Sequence, residues 1–125
     1  MGPPRERSRG VPRTPLALAV AKVAAIVSDL MLASRVEEGL RAAGHDVSVT
    51  PTLPNPLEAD AIVCDLDTAD IDAVAAAPVP TLGFYSHVDV DTKQRAEKAS
   101  IDQVVPRSRM ARELPQLIEQ LLAGR

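Results

Sequence analysis

The sequence has no tryptophan, and Phe84 and Tyr85 are its only aromatic side chains apart from histidine. A core must therefore be built from Ala, Val, Leu and Ile, and a flavin site lacks the aromatic residues it would normally recruit. Cysteine occurs once, at Cys64, so an intramolecular disulfide is excluded. A lone thiol inside an apolar stretch reads as an inert core residue in a reducing compartment. No apolar run is long enough to cross a bilayer, since the longest, Leu16 to Val27, is broken by Lys22. This run follows a basic start, as in a secretion signal. However, Ala24-Ala25-Ile26-Val27-Ser28-Asp29 leads straight into a helical pattern, which indicates a strand entering a helix and not a cleavage region. The expected location is the cytoplasm.

Net positive charge is also lacking outside the N-terminus. Arg5, Arg7, Arg9 and Arg13 against Glu6 make residues 1–15 positive, so the chain's formal charge of −3 conceals a clearly acidic remainder. An acidic body argues against nucleic-acid binding by the folded part. Residues 1–15, rich in Pro, Gly and Arg, cannot bury enough apolar surface to offset the entropy of ordering. They read as a disordered basic tail, leaving 16–125 as one domain, of ordinary size for a chain that is 46% apolar.

The domain is organised around Ala59-Asp60-Ala61-Ile62-Val63-Cys64-Asp65-Leu66-Asp67, a short apolar run that ends in acid. Ile62, Val63 and Cys64 suit a strand buried on both faces of a parallel sheet. Asp65 then lies at the carboxyl end of a central strand, where open α/β sheets bind ligands. Around it, a first strand is expected within 20–27 and a helix over 30–43. The helix is capped by Ser28 or Asp29, carries Leu32, Val36, Leu40 and Ala43 on its inner face, and is ended by Gly44. His45, in the following turn, is expected at the surface. Asp46 to Thr50 alternates as a second strand. Pro51, Pro54 and Pro56 then exclude a full helix before the third strand, because proline in a helix interior costs about 3 kcal/mol. A short helix through Ile71, Val74 and Ala75 follows, capped by Thr68 or Asp70. The fourth strand spans 80–85, a helix capped by Asp89 spans 90–99, and a fifth strand spans 103–105. The last helix has Leu114, Leu117, Ile118 and Leu121 inside, with Pro115 near its first turn and 110–112 as a separate leading turn. Such alternation means an α/β, three-layer sandwich on a five-stranded parallel sheet. The expected order is the flavodoxin-like 2-1-3-4-5, with the second helix shortened or missing.

From about Lys22 to Leu122 this order resembles the receiver domain of two-component response regulators, the CheY-like fold. Asp65 matches the phosphoacceptor, Asp29 or the Ser28-Asp29 pair the acids after the first strand, Ser86 the small hydroxyl residue ending the fourth, and Arg107 the lysine after the fifth. Asp29-Leu30-Met31, Gly83-Phe84-Tyr85-Ser86-His87-Val88-Asp89 and Pro106-Arg107-Ser108-Arg109 look like a group of divergent receiver-like proteins. The departures are Ser28 in place of one acid, arginine in place of lysine, and the missing helix. Together they describe a degenerate, or pseudo-, receiver.

The resemblance implies a Mg2+ site formed by Asp65, Asp29 and the backbone carbonyl of Asp67, with Ser86 and Arg107 contacting phosphate. Aspartyl phosphorylation needs such a cation to neutralise carboxylate and phosphoryl oxygens. Arg107 presents a planar fork where lysine is a point charge, so the exchange is not neutral. It has the alternatives of pairing permanently with Asp65 or facing solvent. Ser86 can donate to a phosphoryl oxygen, to Asp65 or to local backbone. His87 and Tyr85 are rim candidates. The implied partners are proteins, a histidine kinase or a downstream signalling protein, with homodimerisation left open and no role for nucleic acid or membrane. Two functions compete: a pseudo-receiver acting by protein contact, and a Mg2+-dependent single-domain regulator phosphorylated on Asp65. An enzyme is disfavoured. Asp65-Leu66-Asp67-Thr68 resembles the Asp-x-Asp motif of haloacid-dehalogenase-type phosphatases, but Ala69 stands where that motif wants Thr or Val. A nucleotide or flavin site is disfavoured because Ser28-Asp29 puts a carboxylate where a phosphate would sit.

Overall fold

The computed structural model describes residues 20–86 and 90–124. The expected tail over 1–15, His87 and the helix cap at Asp89 lie outside the described residues. In chain order the elements are β1 (Lys22–Ile26), α1 (Leu30–Ala42), β2 (Asp46–Thr50), β3 (Ala61–Asp65), α2 (Ile71–Ala75), β4 (Thr81–Tyr85), α3 (Val90–Lys98), β5 (Gln103–Pro106) and α4 (Arg107–Ala123). The strands form one parallel sheet ordered β2-β1-β3-β4-β5, the flavodoxin-like order.

Side-chain alternation divides the core between the two faces of this sheet. Val23, Ala25, Val63 and Phe84 point toward α1 and α4, while Ala24, Ile26, Ile62 and Cys64 point toward α2 and α3. All five residues of β3 are buried, as a central strand covered on both faces requires. Burial, and secondarily the neighbouring Asp65, pushes the Cys64 thiol up to about 12, so it remains an un-ionised core group.

α1 starts on Asp29, whose Oδ1 accepts the Leu32 N–H at 3.0 Å. Its buried face is Leu32, Ala33, Val36 and Leu40. Ala43, expected in that stripe, instead caps the helix and is exposed, because the last turn has already left the sheet. Gly44 has φ +92°, a left-handed conformation that would strain any side chain. In α4, Glu113 leaves helical geometry (φ −121°, ψ 18°), separating the leading turn from the run behind it. Pro115 thus falls in the first turn of that second run, where its missing N–H has no helical role. Leu114, Leu117, Ile118 and Leu121 are buried as expected, and Met110 joins them.

His45 is buried and not at the surface, because its Nδ1 accepts the Ala21 N–H at 3.1 Å. Asp60 and Asp102 act alike at this amino edge of the sheet, accepting the strand-leading N–H groups of Lys22 and Thr81, each at 2.8 Å. These three side chains satisfy donors that would otherwise be orphaned, and their polarity is explained by structure alone. No helix forms between β2 and β3. Leu53 and Leu57 of the proline-rich connection cover part of the second core cluster, leaving a cleft lined by Lys22, Ser48, Pro54 and Leu57. Among the described residues no helix is long and apolar enough to cross a membrane.

Candidate functional site

Parallel strands all end on one edge, so the loops that follow them gather there. β3 closes this edge with Asp65, paired in register with Phe84 of β4. The chain then turns sharply, since the Asp65 carbonyl accepts the N–H groups of Thr68 (3.2 Å) and Ala69 (2.9 Å), while Leu66 N–H still reaches Phe84 O at 2.8 Å. This turn brings the Asp67 N–H onto Asp65 Oδ1 at 3.0 Å.

Asp65 as a residue is only 8% exposed. Burial raises its pKa above the ordinary 3.8. The hydrogen bond from Asp67 N–H opposes that rise, as does the Arg107 guanidinium, while the charges of Asp67 and Asp29 reinforce it. The sequence candidates 29, 65, 67 and 107 therefore share one electrostatic neighbourhood. A raised native pKa means that stability contributed by Asp65 is complete below the unfolded-state pKa and is lost as pH rises through the native one. Asp65→Asn removes this titration. In metal-free buffer it is expected to be more stable than the parent at pH 7, with the difference vanishing below pH 3.8. Urea midpoints at several pH values check this, and parallel curves for the two proteins would contradict it.

Ser86 does not reach Asp65. Its N–H (2.9 Å) and its hydroxyl (2.6 Å) both donate to Oδ2 of Asp67. From the sequence only the backbone carbonyl of Asp67 is expected at the site; its side chain is what spans the loops after β3 and β4. Arg107 opens α4 directly after β5 and is exposed; among the described residues no ion pair joins it to Asp65, so of its two alternatives it takes the solvent-facing one. Arg109 pairs along the helix with Glu113 at 3.3 Å. Tyr85 is half-buried at the end of β4. Leu30 and Met31, 85% and 83% exposed, place two large apolar side chains beside Asp29 on the rim.

Asp29 and Asp65 each give one carboxylate oxygen, Oδ1, to a backbone N–H, and each keeps Oδ2 outside those bonds. Two carboxylates, a backbone carbonyl and waters suit magnesium. The Asp67 carboxylate is committed to Ser86, and among the described residues no group of three or more His, Cys, Asp or Glu side chains is placed to hold a metal. The carboxylate oxygens left outside these bonds are Oδ2 of Asp29 and Oδ2 of Asp65.

No family model matches the chain, and no curated protein matches it. Solved structures do. NtrX from Brucella abortus superposes with a TM-score of 0.74 at 13% identity, over 85% of this chain and 28% of NtrX, so the chain spans little more than a quarter of that protein. The Francisella response regulator 1452 receiver domain gives 0.70 at 17% identity, over 83% of this chain and 98% of that domain. The ChxR receiver domain from Chlamydia trachomatis gives 0.66 at 15% identity, over 86% and 100%. The likeness is one of fold: five parallel strands in the receiver order, with, among the described residues, one helix fewer than the sheet has strands.

Proposed function

We propose that this receiver-fold chain is a two-component-type signalling module that acts by protein contact, as a pseudo-receiver, without phosphorylation of Asp65. The observation that carries this reading is the commitment of both Ser86 donors to Asp67. The hydroxyl that would meet an acyl phosphate is already engaged by a carboxylate of the same chain. Three further features agree with it. Arg107 stands where a compact lysine charge would be wanted, only one acid follows β1, and the Asp65 carboxyl is disfavoured as an anion by burial. Output through protein contact fits the exposed Leu30 and Met31 beside the site. It also fits α3, most of whose described side chains are exposed and which packs beside β4 and β5. The partner in this reading is a kinase or a downstream signalling protein, and the chain is not itself an enzyme.

The second reading, Mg2+-dependent phosphorylation of Asp65, draws on the shared neighbourhood of Asp29 and Asp65. Asp29 and Asp65 would hold the ion, which would neutralise the carboxylate and the incoming phosphoryl oxygens. Titration with Mg2+ and beryllofluoride, followed by amide resonances around residue 65, separates the two. The expected result is no saturable shift. Saturable shifts abolished by Asp65→Asn would establish the second reading in place of the first.

A further inference from the structure

Ser86 carries two donors at the carboxyl edge of the sheet, the edge on which open α/β folds bind anions. Both point at a single oxygen, Asp67 Oδ2, at 2.9 Å from the amide and 2.6 Å from the hydroxyl. The shorter distance lies in the charge-assisted range, and two donors converging on one oxygen form the arrangement an oxyanion takes. Asp67 is held for this contact from both sides. Its own N–H is fixed on Asp65 Oδ1, and the preceding Leu66 is buried in the core. Its carboxylate is thus pre-positioned and does not have to be recruited.

We propose that Asp67 makes an autoinhibitory contact: its carboxylate occupies the two Ser86 donors in place of an oxyanion at Asp65, and so ties the end of β4 to the turn after β3. This inference builds on the pseudo-receiver reading and names the group that enforces it. An oxyanion arriving at Asp65 has to displace Asp67 from Ser86 before it can use those donors. It also meets the negative charge of Asp67 two residues from its own anchor.

The test uses the full chain with Asp67→Ala, Asp67→Asn and Ser86→Ala. Asparagine removes the charge but keeps an oxygen able to accept from Ser86, so it separates release of the donors from simple neutralisation. Without ligand, the Ser86 amide is expected to exchange about two- to tenfold faster in Asp67→Ala, the equivalent of one net hydrogen bond, and less so in Asp67→Asn. With Mg2+ and beryllofluoride, Asp67→Ala is expected to gain a saturable response near Asp65, at a midpoint about tenfold lower than any response of the parent or of Asp67→Asn. Adding Ser86→Ala to Asp67→Ala should abolish the gain. Unchanged Ser86 exchange in Asp67→Ala, titration indistinguishable from the parent, or an equal gain in Asp67→Asn would each overturn the proposal. A parent that responds saturably, but more weakly than Asp67→Ala, would overturn the pseudo-receiver reading and leave the contact standing.

Discussion

Phe84→Ala is expected to cost about 3–5 kcal/mol, the range for truncating a fully buried phenylalanine. Phe84 is completely inaccessible and packs with Val63, Leu82 and Met110 on the α1/α4 side of the sheet. With no other aromatic ring in the core, smaller aliphatic side chains and Met110 share its cluster, and of these only Met110 is flexible enough to move toward the space it leaves. Domains of this size have a total stability of roughly 5–15 kcal/mol, so the loss is a large share of it. A chemical-denaturation midpoint measures the effect. A cost of less than about 1 kcal/mol would mean that the cavity collapses, contrary to close packing here. Phe84 also pairs in register with Asp65, and its carbonyl accepts the Leu66 N–H, so the same substitution should loosen the edge that carries the site.

The second large effect is expected one residue earlier. A β-carbon on Gly83 would stand 2.7 Å from Leu66 Cδ2 and 2.8 Å from its Cδ1 and Cγ. Leu66 is itself buried, so it has nowhere to swing. Gly83→Ala should cost about 1–3 kcal/mol as an overpacked core substitution, and Gly83→Val more. Leu66 lies between Asp65 and Asp67. Pushing it aside should therefore shift the Ser86 and Asp67 amide resonances as well as the unfolding midpoint. Leu66→Ala removes the obstructing atoms, so the double variant should be more stable than the sum of the single losses implies, by about 0.5–3 kcal/mol of coupling. Additive losses would show that Leu66 and the new methyl group do not meet.

Much of this architecture is legible in the chain because local signals agree with one another. Ile62-Val63-Cys64 announces a doubly buried strand, the three prolines after Thr50 forbid a helix, and Asp29 and Asp70 sit where helix caps belong. The gathering of residues 29, 65 and 107 follows from strand order alone, since every strand delivers its following loop to the same edge. What escaped the sequence depends on partners remote in the chain. Asp67 finds Ser86 nineteen positions away, and which oxygen meets which donor is decided by how tightly the turn after β3 closes. His45 follows a glycine in a turn, a usual surface setting, yet it serves an N–H twenty-four positions earlier. Gly83 looks like a weak point in a strand until Leu66 is seen lying across it. In each case the chemistry of the residue was plain and its neighbour was not.

The helix missing between β2 and β3 leaves a mark on how the molecule opens. β2 has one hydrogen-bonded neighbour, none of its residues is fully buried, and on one side it is shielded only by a proline-rich strap. Partial unfolding is therefore expected to begin at this margin, with a free energy below that of the whole domain. β1 can shed its outer neighbour while β3 and β4 stay clasped, so that Asp67, beyond β3, keeps its contact with Ser86 through such excursions.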